Sequence, residues 1–425
     1  MAKNPVARAF AGLLLLCSVV VAVSLGLSAQ APAAAPKYKF DADWPKTMPN
    51  KWKIGGVTGL AVDKDDNVWV YDRPNDLREI ELNAEVKLTD CCARPPSMIH
   101  IDKAGNVIES FDPPQGHGMD VDSKGFVYLG NSVKGLGTVR KYDPKTGKLV
   151  AEIPHIMEPQ PGAGDGGGSA APRQPGKGGP GPGGTFPAPA PKPSNSAAVA
   201  AFRAKYPPTT PMIVGGIEEV RLDEAARELY TADNYLGGRV MVFDLDTFTF
   251  KRGWGAYGHK LSEITTSDAD RAYTANGPMP KEFRGHLTLN LSNDGMVYAA
   301  DRAANRIHVT TKDGVFVKEF ILTPSTAVPP PPDKPAVNTG KEGSTGGVGF
   351  SPDKAQRFLY ISDLSNNTIW FLNRADGKVV GRLGSMGQNG GQFFGLHMIA
   401  VDSKGNIYTG EVFNGERVQR FVPVP

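Results

Sequence analysis

The feature that most constrains the fold is a motif that occurs six times along the chain. Each copy has an apolar segment, a polar turn and a second apolar segment with an aromatic residue, followed three positions later by an acid or Asn. These pairs are Trp69 and Asp72, Tyr128 and Asn131, Tyr230 and Asp233, Tyr298 and Asp301, Tyr360 and Asp363, and Tyr408 and Glu411. Alternating apolar residues bounded by Asp/Gly turns predict β-strands rather than helices.

The spacing of the motif predicts one large β domain with long insertions. Successive acid positions are 59, 102, 68, 62 and 48 residues apart, whereas a blade of four strands needs about 40–50 residues. Residues 158–196 are rich in Gly, Pro and Ala, so we expect a disordered insertion there, between blades 2 and 3. A second Pro-rich loop spans residues 324–345, between blades 4 and 5.

Six copies in a chain of this size predict an all-β fold, a six-bladed β-propeller over residues 38–425. Radial closure of six small sheets protects the strand edges that would otherwise aggregate. We expect the segment Tyr38–Trp44 to complete the last blade.

The N-terminus predicts export. Lys3 and Arg8 precede an almost wholly apolar stretch from Phe10 to Leu27, and small residues follow it. This pattern is typical of a secretory signal peptide over residues 1–29, so we expect a secreted or periplasmic protein. An uncleaved N-terminal anchor is the alternative, because the apolar stretch is near the shortest length that spans a bilayer.

Charge and cysteine content exclude several classes of partner. The chain has 47 basic and 44 acidic residues, and without residues 1–29 the basic excess is one. This balance argues against a nucleic-acid partner and against stable association with an anionic membrane surface. Beyond the signal peptide only Cys91 and Cys92 remain, and we expect these adjacent residues not to form a structural disulfide. A closed propeller of this kind can be a monomer.

Three histidines predict a metal site on the axis of the propeller. His117, His286 and His397 precede the repeat aromatic by eleven, twelve and eleven residues, so each opens the first strand of blade 2, 4 or 6. Alternate blades of a six-bladed propeller are related by 120°, so the three imidazoles converge. Three histidines with an open fourth position are typical of catalytic zinc, and other transition metals also bind imidazole. In blades 1, 3 and 5 the matching position lies near Thr58, Glu218 and Gly346.

These segments resemble the catalytic domain of peptidyl-α-hydroxyglycine α-amidating lyases, which are six-bladed propellers of NHL-repeat type. The resemblance runs from about Asp43 to Phe421 and includes the opening DWP at 43–45. HGMDVD at 117–122, HLTLNL at 286–291 and HMIAVD at 397–402 are similar to the three zinc-histidine segments of that family.

The resemblance implies a site and a reaction. It makes His117, His286 and His397 zinc ligands, Tyr235 the catalytic base, and Arg73 and Arg302 active-site arginines. The implied reaction cleaves the C–N bond of a hemiaminal in a small molecule or peptide, giving an amide and glyoxylate. The family also has an Asp after its third histidine that binds calcium, together with two backbone carbonyls that would fall near Val57 and Met119 in this chain. Met398 stands there in this chain, so a calcium site is not expected.

Two other functions are compatible with the sequence. A different metal-dependent lyase or hydrolase can use the same scaffold, because a fold does not fix its chemistry. A non-enzymatic NHL propeller that binds a protein or a carbohydrate is the other alternative, and it would be favoured if the axis proved free of metal.

Overall fold

The computed structural model describes residues 34–133, 136–158, 161, 197–234, 236–264, 277–322 and 345–424. The predicted signal peptide 1–29, Tyr235 and nearly all of the two loops 158–196 and 324–345 lie outside the described residues.

Twenty-four strands make up the described fold. The first twelve are β1 (Lys37–Phe40), β2 (Gly56–Val62), β3 (Val68–Arg73), β4 (Met98–Ile101), β5 (Val107–Phe111), β6 (Met119–Val121), β7 (Val127–Val133), β8 (Leu136–Asp143), β9 (Lys148–Glu152), β10 (Gly216–Asp223), β11 (Glu228–Asn234) and β12 (Arg239–Asp244). The remaining strands are β13 (Phe250–Trp254), β14 (Leu287–Leu291), β15 (Met296–Asp301), β16 (Arg306–Thr311), β17 (Phe316–Ile321), β18 (Val348–Phe350), β19 (Phe358–Asp363), β20 (Thr368–Asn373), β21 (Val379–Leu383), β22 (Leu396–Val401), β23 (Ile407–Glu411) and β24 (Val418–Val424).

The strands form six antiparallel sheets of four, which are the six predicted blades. Blades 1 to 5 each use four consecutive strands, beginning with β2, β6, β10, β14 and β18. The first strands of neighbouring blades contact one another around a closed ring, from β2 through β6, β10, β14, β18 and β22 back to β2. The first strand of each blade is therefore the innermost, and the predicted all-β six-bladed β-propeller is confirmed.

The N-terminal strand closes the ring. Blade 6 has the order β1-β24-β23-β22, so its outermost strand comes from the start of the domain. Lys37 pairs with Val424 and Phe40 pairs with Phe421. This confirms the prediction for the segment near Tyr38. Pairing of the two ends of the domain in one sheet leaves no blade incomplete.

The repeated aromatic residue forms the packing between blades. All six aromatics of the motif are at most 2% exposed. Trp69 packs in the cluster between blades 1 and 2, and Tyr128 packs between blades 2 and 3. Tyr230, Tyr298, Tyr360 and Tyr408 follow the same rule around the ring. The hydrophobic core is thus divided into one cluster per interface, which explains why the motif recurs once per blade.

Helices are short in the described residues. The α-helix α1 (Ala197–Lys205) precedes blade 3 and buries Val199 and Phe202. Short 3₁₀ turns occupy Pro49–Lys51, Pro74–Asp76, Glu79–Glu81, Ala256–Gly258, Leu261–Glu263 and Arg302–Ala304. No helix within these described segments has the length and apolarity required to cross a membrane.

The two adjacent cysteines correct one expectation. Cys91 and Cys92 are joined by a disulfide, and the peptide bond between them is cis. The expectation that these adjacent residues form no structural disulfide is therefore wrong.

Candidate metal centre

The acid of the repeat motif holds the loop that leads into the innermost strand. Its carboxylate accepts a hydrogen bond from a backbone N–H in that loop, two or three residues before the position predicted to face the axis. The four pairs are Asp72 with Gly55, Asp233 with Gly215, Asp301 with Arg284, and Glu411 with Phe394. The motif therefore positions the axial residues as well as the strands.

Bulges place two of the axial residues. The pairing of β10 with β11 shifts between Ile217 and Glu219, so Glu218 is the extra, unpaired residue. The pairing of β22 with β23 shifts in the same way around His397. A bulge re-aims the side chain of its extra residue. Because Glu218 matches the histidine position in blade 3, it shares the site with the predicted ligands.

His286 differs from the other two histidines by one residue. In blade 2, Gly118 follows His117 directly and pairs with Gly130. Gly130 is the residue before Asn131 of the motif. In blade 4 Leu287 pairs directly with Asp301 and the ladder continues without a bulge. His286 therefore lies one residue nearer the rim, with a left-handed backbone at φ 54°. The shared register predicted from sequence spacing does not hold for this blade, because spacing alone does not reveal bulges.

The axial side chains converge on Glu218. His117 Nε2 lies 3.3 Å from His397 Nε2 and 3.1 Å from Glu218 Oε2. His286 Nδ1 is 3.7 Å from Glu218 Oε1. Glu218 is only 4% exposed, whereas the His286 side chain is 31% exposed. The structure thus brings His117, His397 and Glu218 into one cluster, with His286 at its edge.

The hydrogen bond of His117 fixes which of its nitrogens is protonated. His117 Nδ1 lies 2.6 Å from the backbone carbonyl oxygen of Glu218, and a carbonyl only accepts, so Nδ1 carries the proton. In the neutral ring, Nε2 then carries no hydrogen, and its lone pair points at the cluster. Metal-binding histidines commonly have their other nitrogen fixed by such a bond.

The surroundings of His117 and His397 lower the pKa of both imidazoles. Burial lowers the pKa of His117, and the charges of Arg73 and Arg302 lower it further against the opposing effect of Glu218. The pKa of His397 is held well below its usual range by burial and by neighbouring His117 and Arg302. Neutral imidazole is the form that binds a metal ion.

The short contacts of His117 Nε2 fit a shared cation. A single proton can lie between His117 Nε2 and only one of its two neighbours, His397 or Glu218. The contact with the other neighbour then has no hydrogen between the two atoms. Two ligands of a tetrahedral zinc ion with bonds of about 2.0–2.1 Å are about 3.3–3.4 Å apart. The 3.3 Å between the two Nε2 atoms matches this separation. The donor set of imidazole and carboxylate is also one that zinc and related metals accept.

The cluster does not yet form a complete coordination sphere. Within the described segments, no group of three or more His, Cys, Asp or Glu side chains is already arranged to hold a metal ion. His286 is the outlying member, because its Nδ1 is 3.7 Å from Glu218 Oε1 and its side chain is 31% exposed.

Two arginines stand beside the cluster. Arg73 and Arg302 each follow the motif acid of their blade, and both act electrostatically on His117 and His397. Arg73 pairs with Asp76 at 2.7 Å. The Nε atoms of both arginines are buried and have no hydrogen-bond partner among the described residues. Such donors favour an anionic ligand, and a carboxylate matches the fork of a guanidinium.

Blade 3 has a polar residue at the same position as these arginines. Asn234 follows Asp233 as Arg73 follows Asp72, and it pairs with Gly216 as Arg73 pairs with Gly56. It is fully buried, and neither side-chain polar atom has a partner in the described part of the chain. Comparison of the residue after each motif acid would have found it from the sequence. The neighbouring Tyr235, predicted as the base, lies outside the described residues.

The calcium position of the resemblance has other contacts in this chain. Met398 is buried in the cluster between blades 6 and 1. The carbonyl oxygen of Met119, one of the two that the resemblance assigns to calcium, accepts a hydrogen bond from Arg221 Nη1 at 2.7 Å. A guanidinium therefore supplies the positive charge next to this carbonyl.

A cavity of about 390 Å³ lies at the other end of the axis. Its walls come from the C-terminal parts of all six innermost strands and include Asp120 and Arg221. The histidines lie at the N-terminal ends of the same strands. The cavity and the histidine cluster are thus at opposite ends of the ring, and the predicted site residues do not line the cavity.

Comparison with known proteins identifies no family for this chain. No family model matches it, and no curated protein matches its sequence. A protein of unknown function from Bacteroides thetaiotaomicron is similar in structure, with a TM-score of 0.49 and 15% identity over 92% of this chain and 73% of that one. A streptogramin B lyase has a TM-score of 0.45 and 12% identity over 92% and 98% of the two chains. A catalytically inactive virginiamycin B lyase from Staphylococcus aureus, bound to quinupristin, has a TM-score of 0.42 and 12% identity over 92% and 89%. At these identities the similarity concerns the fold and not the activity.

Proposed function

We propose that this chain is an exported metal-dependent lyase that cleaves the C–N bond of a hemiaminal, releasing an amide and glyoxylate. The observation that carries the proposal is that His117 Nε2 lies 3.3 Å from His397 Nε2 and 3.1 Å from the Glu218 carboxylate, beside two arginines. His117, His286 and His397 would hold the metal ion. Zinc is the expected metal, and other transition metals fit the same ligands.

The arginines would bind the carboxylate of the substrate. A hemiaminal derived from glycine carries a carboxylate next to the carbon that bears the hydroxyl. Arg73 and Arg302 both have a buried Nε without a partner among the described residues, so an incoming carboxylate would satisfy donors that are otherwise desolvated. Binding at this end fixes the reacting carbon beside the axis.

Tyr235 would act as the base. The reaction requires removal of the hydroxyl proton, formation of the C=O bond of glyoxylate and departure of the nitrogen, which takes up a proton as the amide. A tyrosine has an ordinary pKa of about 10, so a nearby cation is needed for it to accept a proton near neutral pH. Arg73 and Arg302 supply positive charge at this rim. A bound metal ion would act as a Lewis acid toward the substrate oxygens.

Turnover of a simple substrate tests the proposal. Metal-loaded protein is incubated with N-benzoyl-α-hydroxyglycine, and benzamide and glyoxylate are quantified. We expect equal amounts of the two products, and Arg302→Met should lower kcat/KM by about 10–100-fold, the worth of a charged hydrogen bond to the substrate. Arg357→Met is the control, since this arginine is 61% exposed in blade 5. Spontaneous breakdown at an unchanged rate with metal-loaded protein would contradict the proposed reaction.

A further inference from the structure

We propose that Glu218 is a fourth protein ligand of the axial metal ion, so that a carboxylate closes the resting site. This inference rests on the proposed metal site and adds a residue that the three-histidine arrangement does not contain. It also makes blade 3 a contributor, together with blades 2, 4 and 6.

The backbone of blade 3 is built to present this side chain. Glu218 is the extra residue of the bulge between Ile217 and Glu219, and Gly215 before it is held by the carboxylate of Asp233 at 2.6 Å. The fixed backbone directs the carboxylate into the cluster, where it is 4% exposed. Both the loop and the bulge thus restrict Glu218 before any ion binds, which reduces the entropy lost on coordination.

The distances suit a ligand rather than a distant neighbour. Glu218 Oε2 is 3.1 Å from His117 Nε2. Ligand atoms on one ion with bonds of about 2.1 Å are about 3.0 Å apart at 90° and about 3.4 Å apart at the tetrahedral angle. The observed separation lies inside this range. Glu218 also contacts His117 through its backbone carbonyl, which holds the ring with Nε2 facing the carboxylate.

The second oxygen of the same carboxylate lies near His286. Glu218 Oε1 is 3.7 Å from His286 Nδ1 and Oε2 is 3.1 Å from His117 Nε2, so one carboxylate is close to two of the three histidines. Three neutral imidazoles leave the charge of a divalent ion uncompensated in a buried site. A carboxylate ligand reduces that charge to one, which lowers the electrostatic penalty of burying the ion.

A carboxylate ligand also defines how an anionic substrate enters. Glu218 would occupy the position that three histidines leave open, so an anionic substrate would bind beside a carboxylate that is already there. Arg73 and Arg302 lie close enough to affect both histidines electrostatically. They provide the positive charge that keeps a second anion favourable beside Glu218.

Cobalt substitution tests the assignment without measuring activity. Metal-free wild-type protein, Glu218→Gln and the control Glu228→Gln are titrated with Co²⁺ in competition with a chromogenic chelator, and the visible spectrum of each complex is recorded. Glu228 is in the same blade but is bound by Arg252 at 2.7 Å. We expect Glu218→Gln to weaken Co²⁺ binding at least about tenfold and to change the visible spectrum. Glu228→Gln should match the wild type in both.

The outcomes separate the two proposals. Equal affinity and an identical spectrum for wild type and Glu218→Gln would overturn the Glu218 assignment and leave the histidine site standing. Absence of Co²⁺ and Zn²⁺ binding to the wild type would overturn the metal site and this inference together. If Glu218→Gln does not fold, a crystal structure of the zinc-loaded wild type decides, since a ligand oxygen lies about 2.0–2.2 Å from zinc. A Glu218 carboxylate outside the coordination sphere in that structure would overturn the assignment.

Discussion

Replacing Asp233 by Ala should destabilise the protein strongly, because this acid anchors both the third blade and the loop before Glu218. Asp233 and Arg239 are fully buried and lie 2.9 Å apart. Asp233 also accepts hydrogen bonds from Val214 and Gly215. Arg239 donates to backbone carbonyls of the same loop, including that of Met212 at 2.7 Å. Removal of one partner from such a pair costs about 3–5 kcal/mol, because the other charge stays buried.

The double variant Asp233→Ala/Arg239→Met tests the cause of this loss. It removes both charges, so the remaining cost is that of a few unpaired backbone groups, each worth about 1–3 kcal/mol. We therefore expect the double variant to be more stable than the sum of the two single effects predicts.

The assay is urea unfolding of metal-free protein, followed by tryptophan fluorescence and repeated with Asp246→Ala as the control. Asp246 forms an exposed ion pair with Arg227 in the same blade, and such pairs contribute about 0–1 kcal/mol. A loss of less than about 1 kcal/mol in Asp233→Ala, or strict additivity in the double variant, would refute the assigned role of the buried pair.

Three further predictions concern the proposed base, the closure of the ring and the stability of the folded protein at low pH. Tyr235→Phe should retain the metal content of the wild type and abolish release of glyoxylate; full activity in this variant would remove the assignment of the base. Deletion of residues 34–40 removes β1 and exposes the edge of β24, so we expect a lower Tm and aggregation detected by light scattering; unchanged melting would contradict closure by this strand. Hydrogen bonds from Arg252 hold the pKa of Glu228 at about 2, below its ordinary 4.5. The contribution of the ionised Glu228 to folding stability is therefore complete above about pH 4.5 and is lost as the pH falls toward 2. Glu228→Gln should thus be less stable than the wild type at pH 7 and nearly as stable as the wild type at pH 2. Urea unfolding of both proteins at the two pH values measures this difference.

The blade count and the packing of the ring could be predicted because one motif reports both. Each aromatic such as Tyr230 is buried against the next blade, and in four blades the motif acid, such as Asp233, holds the loop before the first strand. The role of the aromatic depends on local pattern and recurs once per blade, so the sequence contains it six times. Closure by the N-terminal segment was expected on general grounds and not from the motif, which does not include β1.

The details of the site were less accessible because they depend on single-residue shifts in strand pairing. A bulge in blade 3 makes Glu218 an axial residue, and the lack of one in blade 4 moves His286 toward the rim. Both residues precede the aromatic of their motif by twelve positions, so sequence spacing does not distinguish these two cases. The disulfide of Cys91 and Cys92 lies outside the repeated motif, so no periodic pattern predicts it.

The metal content of the purified protein tests the central claim most directly. Elemental mass spectrometry is applied to wild-type protein prepared without added metal and after zinc is offered, beside the triple variant His117→Ala/His286→Ala/His397→Ala. We predict about one transition-metal ion per wild-type chain and none in the triple variant. Wild-type protein that stays free of metal after zinc is offered, or a triple variant that retains it, would contradict the axial metal centre.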